Sequence, residues 1–351
     1  MSDARLSPNA ISYNTTLRAC ERGSQWQWAM ELHTAMRAAT VPSDILSYNT
    51  TIRSCNSSSQ WRRSFHLWAS IPDAGLTPNY LSYNALLHAC EMGMQWQHAL
   101  REFGAMTSAR LGKDAVSYCT ALRACQKGHA WQAGVHIFNS MMRKRFFPDV
   151  FNYNATISSC EKGSQWLLAL HLLHGMPSAS LTPDTVSYNA ALDASKAAEQ
   201  WQWALQLFNS LPASGLRPDA ISINTTVTAA VEGTQWQLAL RLFHSMPESE
   251  VIPTIASYNA AISAAGQEFQ WRSALELFRS AAEAQLARDV ITYNAVMRSC
   301  EQAGLWKSVL ELLSSITRAQ LSPDVISYLA TPSPWVPALG GGRRRCPLEG
   351  E

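Results

Sequence analysis

The sequence predicts an all-α fold, a solenoid of stacked helix-turn-helix repeats. Three observations predict it. Tryptophan recurs every 35 residues, at Trp26, Trp61, Trp96, Trp131, Trp166, Trp201, Trp236, Trp271 and Trp306, with no insertion or deletion between them. Inside each period, apolar residues recur at helical spacing. Glycine or proline recurs where one helical pattern gives way to the next. A fixed period of this length marks a repeat array, in which each unit cannot bury its apolar face alone. Such an array binds along an extended surface rather than in a single cleft.

Framed from Ala10, nine repeats of 35 residues run to Asp324. Residues 1–9 are expected to hold the remnant of a preceding repeat. Residues 325–330 begin a truncated tenth. Residues 331–351 are expected to form a disordered tail, because Pro332, Pro334, Pro337, three glycines and Arg343-Arg344-Arg345 follow one another without periodicity. The repeats themselves are expected to form one elongated domain.

The first helix of a repeat follows from Tyr13, Leu17 and Cys20, which share one face at i, i+4 and i+7. Tyr48, Ile52 and Cys55 repeat the stripe, as do Tyr153, Ile157, Cys160 and Tyr293, Met297, Cys300. Gly23 is expected to end this helix as a left-handed cap, with Gly93, Gly128, Gly163 and Gly233 in the same place. Ser24-Gln25-Trp26-Gln27 has the spacing of a capping box for the second helix. Trp26, Ala29 and Met36 form the stripe of that helix, and the tryptophans are expected to pack in the core between repeats. The Ala29 slot stays small, as Ser64, Ala99, Gly134, Ala169, Ala204, Ala239 and Ala274, so that two helices approach closely. Pro78, Pro148, Pro183, Pro218, Pro253 and Pro323 stop the chain before the next repeat.

Hydrophobic residues make up 47% of the chain, ample for a continuous core. Charged residues make up 15%, against about 25% in a typical soluble domain. The net charge of +2 gives no strong basic field. No apolar run approaches the ~20 residues of a membrane span, and no import signal is readable at the N-terminus. Six of eight cysteines share one slot, Cys20, Cys55, Cys90, Cys125, Cys160 and Cys300, which holds Ser195, Ala230 and Ala265 in other repeats. The slot selects small volume. Its occupants lie a whole repeat apart, about 10 Å for packed helices, too far for a disulfide. No Cys-x-x-Cys or recurring histidine spacing suggests a metal, and no cofactor is expected.

A second stripe on the first helix carries Ile11, Asn14 and Arg18. The amide is nearly uniform, as Asn14, Asn49, Asn84, Asn154, Asn189, Asn224, Asn259 and Asn294, with Cys119 the exception. Asn is a mediocre helix former. Its persistence here calls for a role, and an amide offers both donor and acceptor to a base edge.

The unbroken 35-residue period, the Tyr-Asn pair and the Pro-Asp near the end of the unit, as in "DILSYNTTIRSC…QWRRSFHLWASI…LTPN" from Asp44 to Asn79, resemble the pentatricopeptide repeat family in its pure-repeat form. The Gln-Trp pair departs from the family pattern. The resemblance implies a right-handed solenoid that binds single-stranded RNA, one nucleotide per repeat. It implies that the fifth and last residues of a repeat read the base. These are the asparagines above with Cys119, together with Asp44, Asn79, Asp114, Asp149, Asp184, Asp219, Thr254, Asp289 and Asp324. It implies packing on the base by the second residue, Ile11, Leu46, Leu81, Val116, Phe151, Val186, Ile221, Ala256 or Ile291. The Asn-Asp and Asn-Asn pairings imply a uracil-rich pyrimidine target with cytosine second. Arg18, Arg22, Arg53, Arg123, Lys127, Lys162 and Arg298 lie near the same face and are candidate phosphate contacts.

By resemblance the chain would act on chloroplast or mitochondrial transcripts, in RNA processing, stability or translation, with a recruited RNA-processing protein as a further partner. No membrane or small-molecule partner is implied. The alternative is a protein-binding scaffold of the tetratricopeptide kind, whose period is about 34 residues. The sequence carries no deaminase signature, phosphate loop or nucleophile elbow, so no catalysis is expected.

Overall fold

The computed structural model describes residues 9–39, 41–247, 250–267 and 270–329. The expected tail, and residues 1–8 of the expected remnant, lie outside the described residues. The described residues contain helices and no strand.

The first helices of the repeats are α1 (Ala10–Arg22), α3 (Ile45–Ser57), α5 (Tyr80–Met92), α7 (Ala115–Lys127), α9 (Val150–Lys162), α11 (Thr185–Ala197), α13 (Ala220–Glu232), α15 (Ile255–Gln267) and α17 (Val290–Gln302). The second helices are α2 (Trp26–Ala38), α4 (Trp61–Asp73), α6 (Trp96–Ser108), α8 (Trp131–Arg143), α10 (Trp166–Gly175), α12 (Trp201–Ala213), α14 (Trp236–His244), α16 (Trp271–Glu283) and α18 (Trp306–Arg318). A short α19 (Val325–Leu329) begins a tenth repeat. The chain divides into two compact blocks, the first ending at Ala197 and the second starting at Ala198. Within each block, the first helix of a repeat packs on its own second helix and on the first helix of the following repeat, as α3 does on α4 and α5, or α15 on α16 and α17. Each block is an α-solenoid.

The first helices start where a side chain supplies the acceptor that their free N–H groups need. Asp44 accepts from the backbone N–H of Ser47 at 2.8 Å, Asp114 from that of Ser117 at 2.8 Å and Asp289 from that of Thr292 at 2.9 Å. Each cap of this kind contributes about 1 kcal/mol.

The helix ends differ from the sequence expectation. Gly23 has φ −85° and is not left-handed. The left-handed residue is the next one: Ser24 (φ 52°), Ser59, Met94, His129, Ser164, Glu199 or Thr234, and glycine only at Gly304 (φ 71°). The following N–H then closes a Schellman turn, from Gln25 to the Cys20 carbonyl at 2.9 Å and from Gln165 to that of Cys160 at 2.9 Å. The predicted capping box is also absent. Gln25 stands at the N-cap of α2 and makes no side-chain cap bond, because Ser24 is spent on the left-handed turn. The glutamine instead clasps the turn: Gln95 donates from Nε2 to the Gly93 carbonyl at 3.2 Å, and Gln165 to that of Gly163 at 3.1 Å.

The tryptophans are half-buried rather than core residues, and Trp306 is 53% exposed. They open the second helix at the margin of the hairpin, so one ring face meets the turn of the next repeat. That contact accounts for the recurring glycine. A Cβ added to Gly128 would stand 2.4 Å from Trp96, one added to Gly163 2.2 Å from Trp131, and one added to Gly233 2.2 Å from Trp201. Glycine is selected there for the approach of an indole, not for backbone freedom. Arg63 covers the Trp26 ring at 4.0 Å.

The core follows the predicted stripes. Leu17, Ile52, Leu87, Leu122, Ile157, Ile262 and Met297 are inaccessible, as are Ala29, Ala99, Ala204 and Ala274 in the small slot. A Cβ on Gly134 would meet Ser159 of the next repeat at 3.4 Å, which is the close approach the small slot permits. In several repeats an aromatic of the second helix meets the tyrosine of the next repeat edge-on. Phe103–Tyr118 centroids are 5.1 Å apart, Phe138–Tyr153 4.8 Å, Phe243–Tyr258 5.0 Å and Phe278–Tyr293 5.1 Å. His33 occupies this slot in the first repeat, 4.5 Å from Tyr48. The seven described cysteines are free thiols, and burial pushes Cys90 and Cys125 up to about 12.

Candidate nucleic-acid interface

The fifth residue of one repeat and the last residue of the same repeat lie 30 positions apart, yet their side chains touch. Asn14 donates from Nδ2 to Asp44 at 3.1 and 3.3 Å. Asn84 donates to Asp114 at 3.2 and 3.3 Å, Asn154 to Asp184 at 3.1 Å, Asn259 to Asp289 at 3.3 Å and Asn294 to Asp324 at 3.0 and 3.1 Å. In the second repeat Asn49 donates to Asn79 Oδ1 at 3.4 Å. The last residue therefore caps a helix and holds an amide with the same head group. Cap and pair are one arrangement.

Burial raises the carboxyl of Asp184, but bonds from the N–H and hydroxyl of Ser187 and from the Asn154 amide outweigh it and hold the group below its ordinary range. The same balance, with Thr292 and Asn259, holds Asp289 low. These carboxylates stay charged acceptors at neutral pH.

Two positions, Cys119 and Thr254, stand outside the ladder. Cys119 offers no amide to Asp149; burial, then the Asp149 charge, raises its thiol. Thr254 caps α15 through a longer contact to the Ser257 N–H, at 3.4 Å, opposite Asn224 in sequence. Asn189 is buried in the first block, and Asp219 caps α13 in the second, accepting from the Ser222 N–H at 2.7 Å.

The second residues of the repeats form an exposed apolar row, an arrangement that burial alone would not select. Ile11, Leu81, Val116, Phe151, Val186, Ile221 and Ile291 are exposed, Phe151 by 77%. Ala256 is exposed and Leu46 half-buried. Two of these side chains wall a cavity over each of two pairs. One cavity of 310 Å³ lies between Leu81 and Val116, with Asn84, Asp114, His88 and Arg53 around it. Another of 360 Å³ lies between Ile291 and Ile326, over Asn294, Asp324 and Arg298. Each is a slot with apolar walls and a donor–acceptor pair between them.

The cations are less available than the sequence suggests. Arg53 pairs with Glu21 at 2.8 Å. Arg123 and Lys127 both reach Glu91, at 2.9 Å each, and Glu91 is 1% exposed. Lys162 pairs with Glu161 at 2.6 Å. Arg298 lines the second cavity, and Arg18 and Arg22 are exposed on α1.

The family described as Pentatricopeptide repeat domain matches residues 206–268, and that described as PPR repeat matches residues 256–283 and 291–321. The repeats that these models cover are pentatricopeptide repeats. Pentatricopeptide repeat protein PPR10, in complex with an 18-nt psaJ RNA element, superposes with TM-score 0.63 at 18% identity, over 94% of this chain and 53% of that chain. PPR10 from maize gives TM-score 0.57 at 19% identity with the same coverage. The chain spans about half the length of these solved chains, and at such identity the likeness establishes the fold. A comparison with curated proteins finds no match to the sequence.

Two features of these pentatricopeptide repeats escaped the sequence reading. One is the acidic partner of the cations, although Glu21, Glu91 and Glu161 stand at a multiple of the period. The other is the third residue of each repeat. Ser47, Ser82, Ser117, Ser187, Ser222 and Ser327 recur there, and all are buried. The recurrence was visible, but a buried serine near a helix start has no distinguishing pattern until its neighbours are known.

Proposed function

We propose that this chain is a sequence-selective binder of pyrimidine-rich single-stranded RNA, reading one base per repeat. The observation that carries the reading is the ladder of Asn amides bonded to carboxylates between exposed apolar walls. A flat base enters such a slot between two apolar side chains and meets a donor and an acceptor at its edge. Uracil presents a carbonyl and an N3–H, which complement an amide N–H and a carboxylate. Cytosine has no proton on N3 and would bring a lone pair against the carboxylate. At Asn49–Asn79 the acceptor is replaced by a second amide, which can donate to that N3. The reading is U-C-U-N-U-U-Y-U-U from 5′ to 3′, with the fourth and seventh bases left open by Cys119 and Thr254. The solved relative bound to RNA supports RNA as the ligand class.

Such a protein acts by occupancy. It shields, opens or exposes a transcript and recruits a processing enzyme where one is needed. We place this action on organellar transcripts, on the resemblance of the repeats alone.

The test is selection from a randomised RNA pool at about 150 mM salt, where weak non-specific phosphate binding falls. Enrichment of a U-rich register of nine nucleotides with C second supports the reading. Recovery of no RNA by folded, helical protein overturns it in favour of a protein-binding scaffold.

A further inference from the structure

We propose that the buried hydroxyl at the third residue of a repeat, where serine or threonine stands there, is a specificity-determining residue: it fixes which end of the preceding repeat's asparagine amide faces the ligand. This rests on the RNA reading above. The two ends of an amide are nearly equal in shape and opposite in hydrogen bonding. A reader that flips exchanges a donor for an acceptor and changes its base.

Two sites display the arrangement. Ser187 Oγ stands 2.6 Å from Asn154 Oδ1, and Ser327 Oγ stands 2.7 Å from Asn294 Oδ1. Each hydroxyl also lies 2.8 Å from an oxygen of the capping aspartate, Asp184 or Asp324. A hydroxyl has one proton to give. Asp184 Oδ1 already accepts from the Ser187 N–H at 2.8 Å and from the Asn154 amide at 3.1 Å, so the hydroxyl proton is shared between that carboxylate and the nearer asparagine oxygen. With that oxygen occupied from behind, the NH₂ end is held toward the carboxylate and the slot.

Elsewhere the same hydroxyl is turned away. Ser47 and Ser117 donate to the main-chain carbonyls of Asp44 and Asp114 at 2.7 and 2.8 Å. There Asn14 Oδ1 and Asn84 Oδ1 are buried with no hydrogen-bond partner. A buried carbonyl in that state has lost water without gaining a protein donor, which is unfavourable. A turn of the serine to the position seen at Ser187 relieves it.

The carboxylate is the first restraint on the amide and the hydroxyl the second. The effect of losing the hydroxyl is therefore graded. Ser82 stands beside the Asn49–Asn79 pair, which has no carboxylate; its hydroxyl lies 3.0 Å from Asn79 Oδ1, and Asn49 Oδ1 is buried with no hydrogen-bond partner. With no carboxylate to restrain Asn49, a turn of that hydroxyl to Asn49 Oδ1 would make orientation there depend most on it.

The test compares the full chain with S82A, S187A, S82T and S187T. Each is titrated with four RNAs that differ only at the second nucleotide, and with four that differ only at the fifth. Tm and helicity are read alongside. Ser82→Ala is expected to cut the preference at the second nucleotide about fivefold to tenfold, and Ser187→Ala that at the fifth about twofold to threefold, in proportion to one lost neutral hydrogen bond. Other nucleotides keep their preference, and the threonine variants restore it. Preferences unchanged in the alanine variants, or affinity lost equally for all four bases, overturn the inference while leaving the RNA reading intact. A parent chain with no preference at either nucleotide overturns both.

Discussion

The indole of Trp131 lies so close over Gly163 that a β-carbon there would stand 2.2 Å from Cδ1. The next residue, Ser164, is left-handed at φ 52°. The two neighbours therefore answer oppositely to substitution. Gly163→Ala forces the indole off the turn and is expected to destabilise by about 2 kcal/mol. Ser164→Gly relieves a strained backbone and is expected to stabilise by up to about 1 kcal/mol. Denaturant unfolding of both variants checks the pair, and a tolerated Gly163→Ala would refute the packing account.

Asp184 both caps α11 and holds the Asn154 amide. Asn caps as well as Asp, so Asp184→Asn should leave Tm nearly unchanged. It replaces the charged acceptor with an amide, as in the second repeat. The fifth base selected from a random pool is expected to move from U to C, with the others unaltered.

Glu91 neutralises Arg123 and Lys127 from a buried position. Glu91→Gln frees two cations on α7. RNA affinity at low salt is expected to rise about threefold, roughly 0.7 kcal/mol. The dependence of affinity on salt should steepen as phosphate contacts are added. Titrations at three salt concentrations measure both, and a weaker, flatter dependence contradicts the assignment.

His33 is 3% exposed against Tyr48. Burial, and then the charge of Arg37, lowers its pKa from the usual 6.5 to about 4. The unfolded chain thus binds more protons between these values, and stability rises with pH across that window. The contribution is complete above pH 6.5 and is lost as pH falls toward 4, by an amount on the order of 2–3 kcal/mol. His33→Phe, the residue found in this slot as Phe103 and Phe138, should remove this dependence. Unfolding midpoints of the two chains between these pH values decide it.

Much of the candidate interface was legible before folding. Asn14 and its equivalents stand out because amides persist where helix propensity disfavours them. Ile11, Phe151 and Ile291 stand out as apolar residues off the core stripe. What was misread has a common cause. Gly163 suggested a left-handed cap because glycine usually fills that role, whereas its neighbour takes the conformation and the glycine makes room for Trp131. Arg123 and Lys127 suggested free charge because Glu91 lies 32 and 36 residues away in sequence.

The sequence by itself determined the period, the two helices of each repeat, the core stripes and the recurring Asn and Asp positions. All of these rest on contacts between residues three or four apart on one helix, which a pattern expresses directly. Only the tertiary structure decided that Asn154 bonds Asp184, that Ser187 stands behind that amide, that Trp131 covers Gly163 and that Glu91 gathers two cations. Those partners are 30 to 36 residues apart. Their meeting depends on how far and at what angle one hairpin stacks on the next. That geometry is set by core volumes such as the Ala29 slot and the Phe138–Tyr153 contact, and no single helix specifies it.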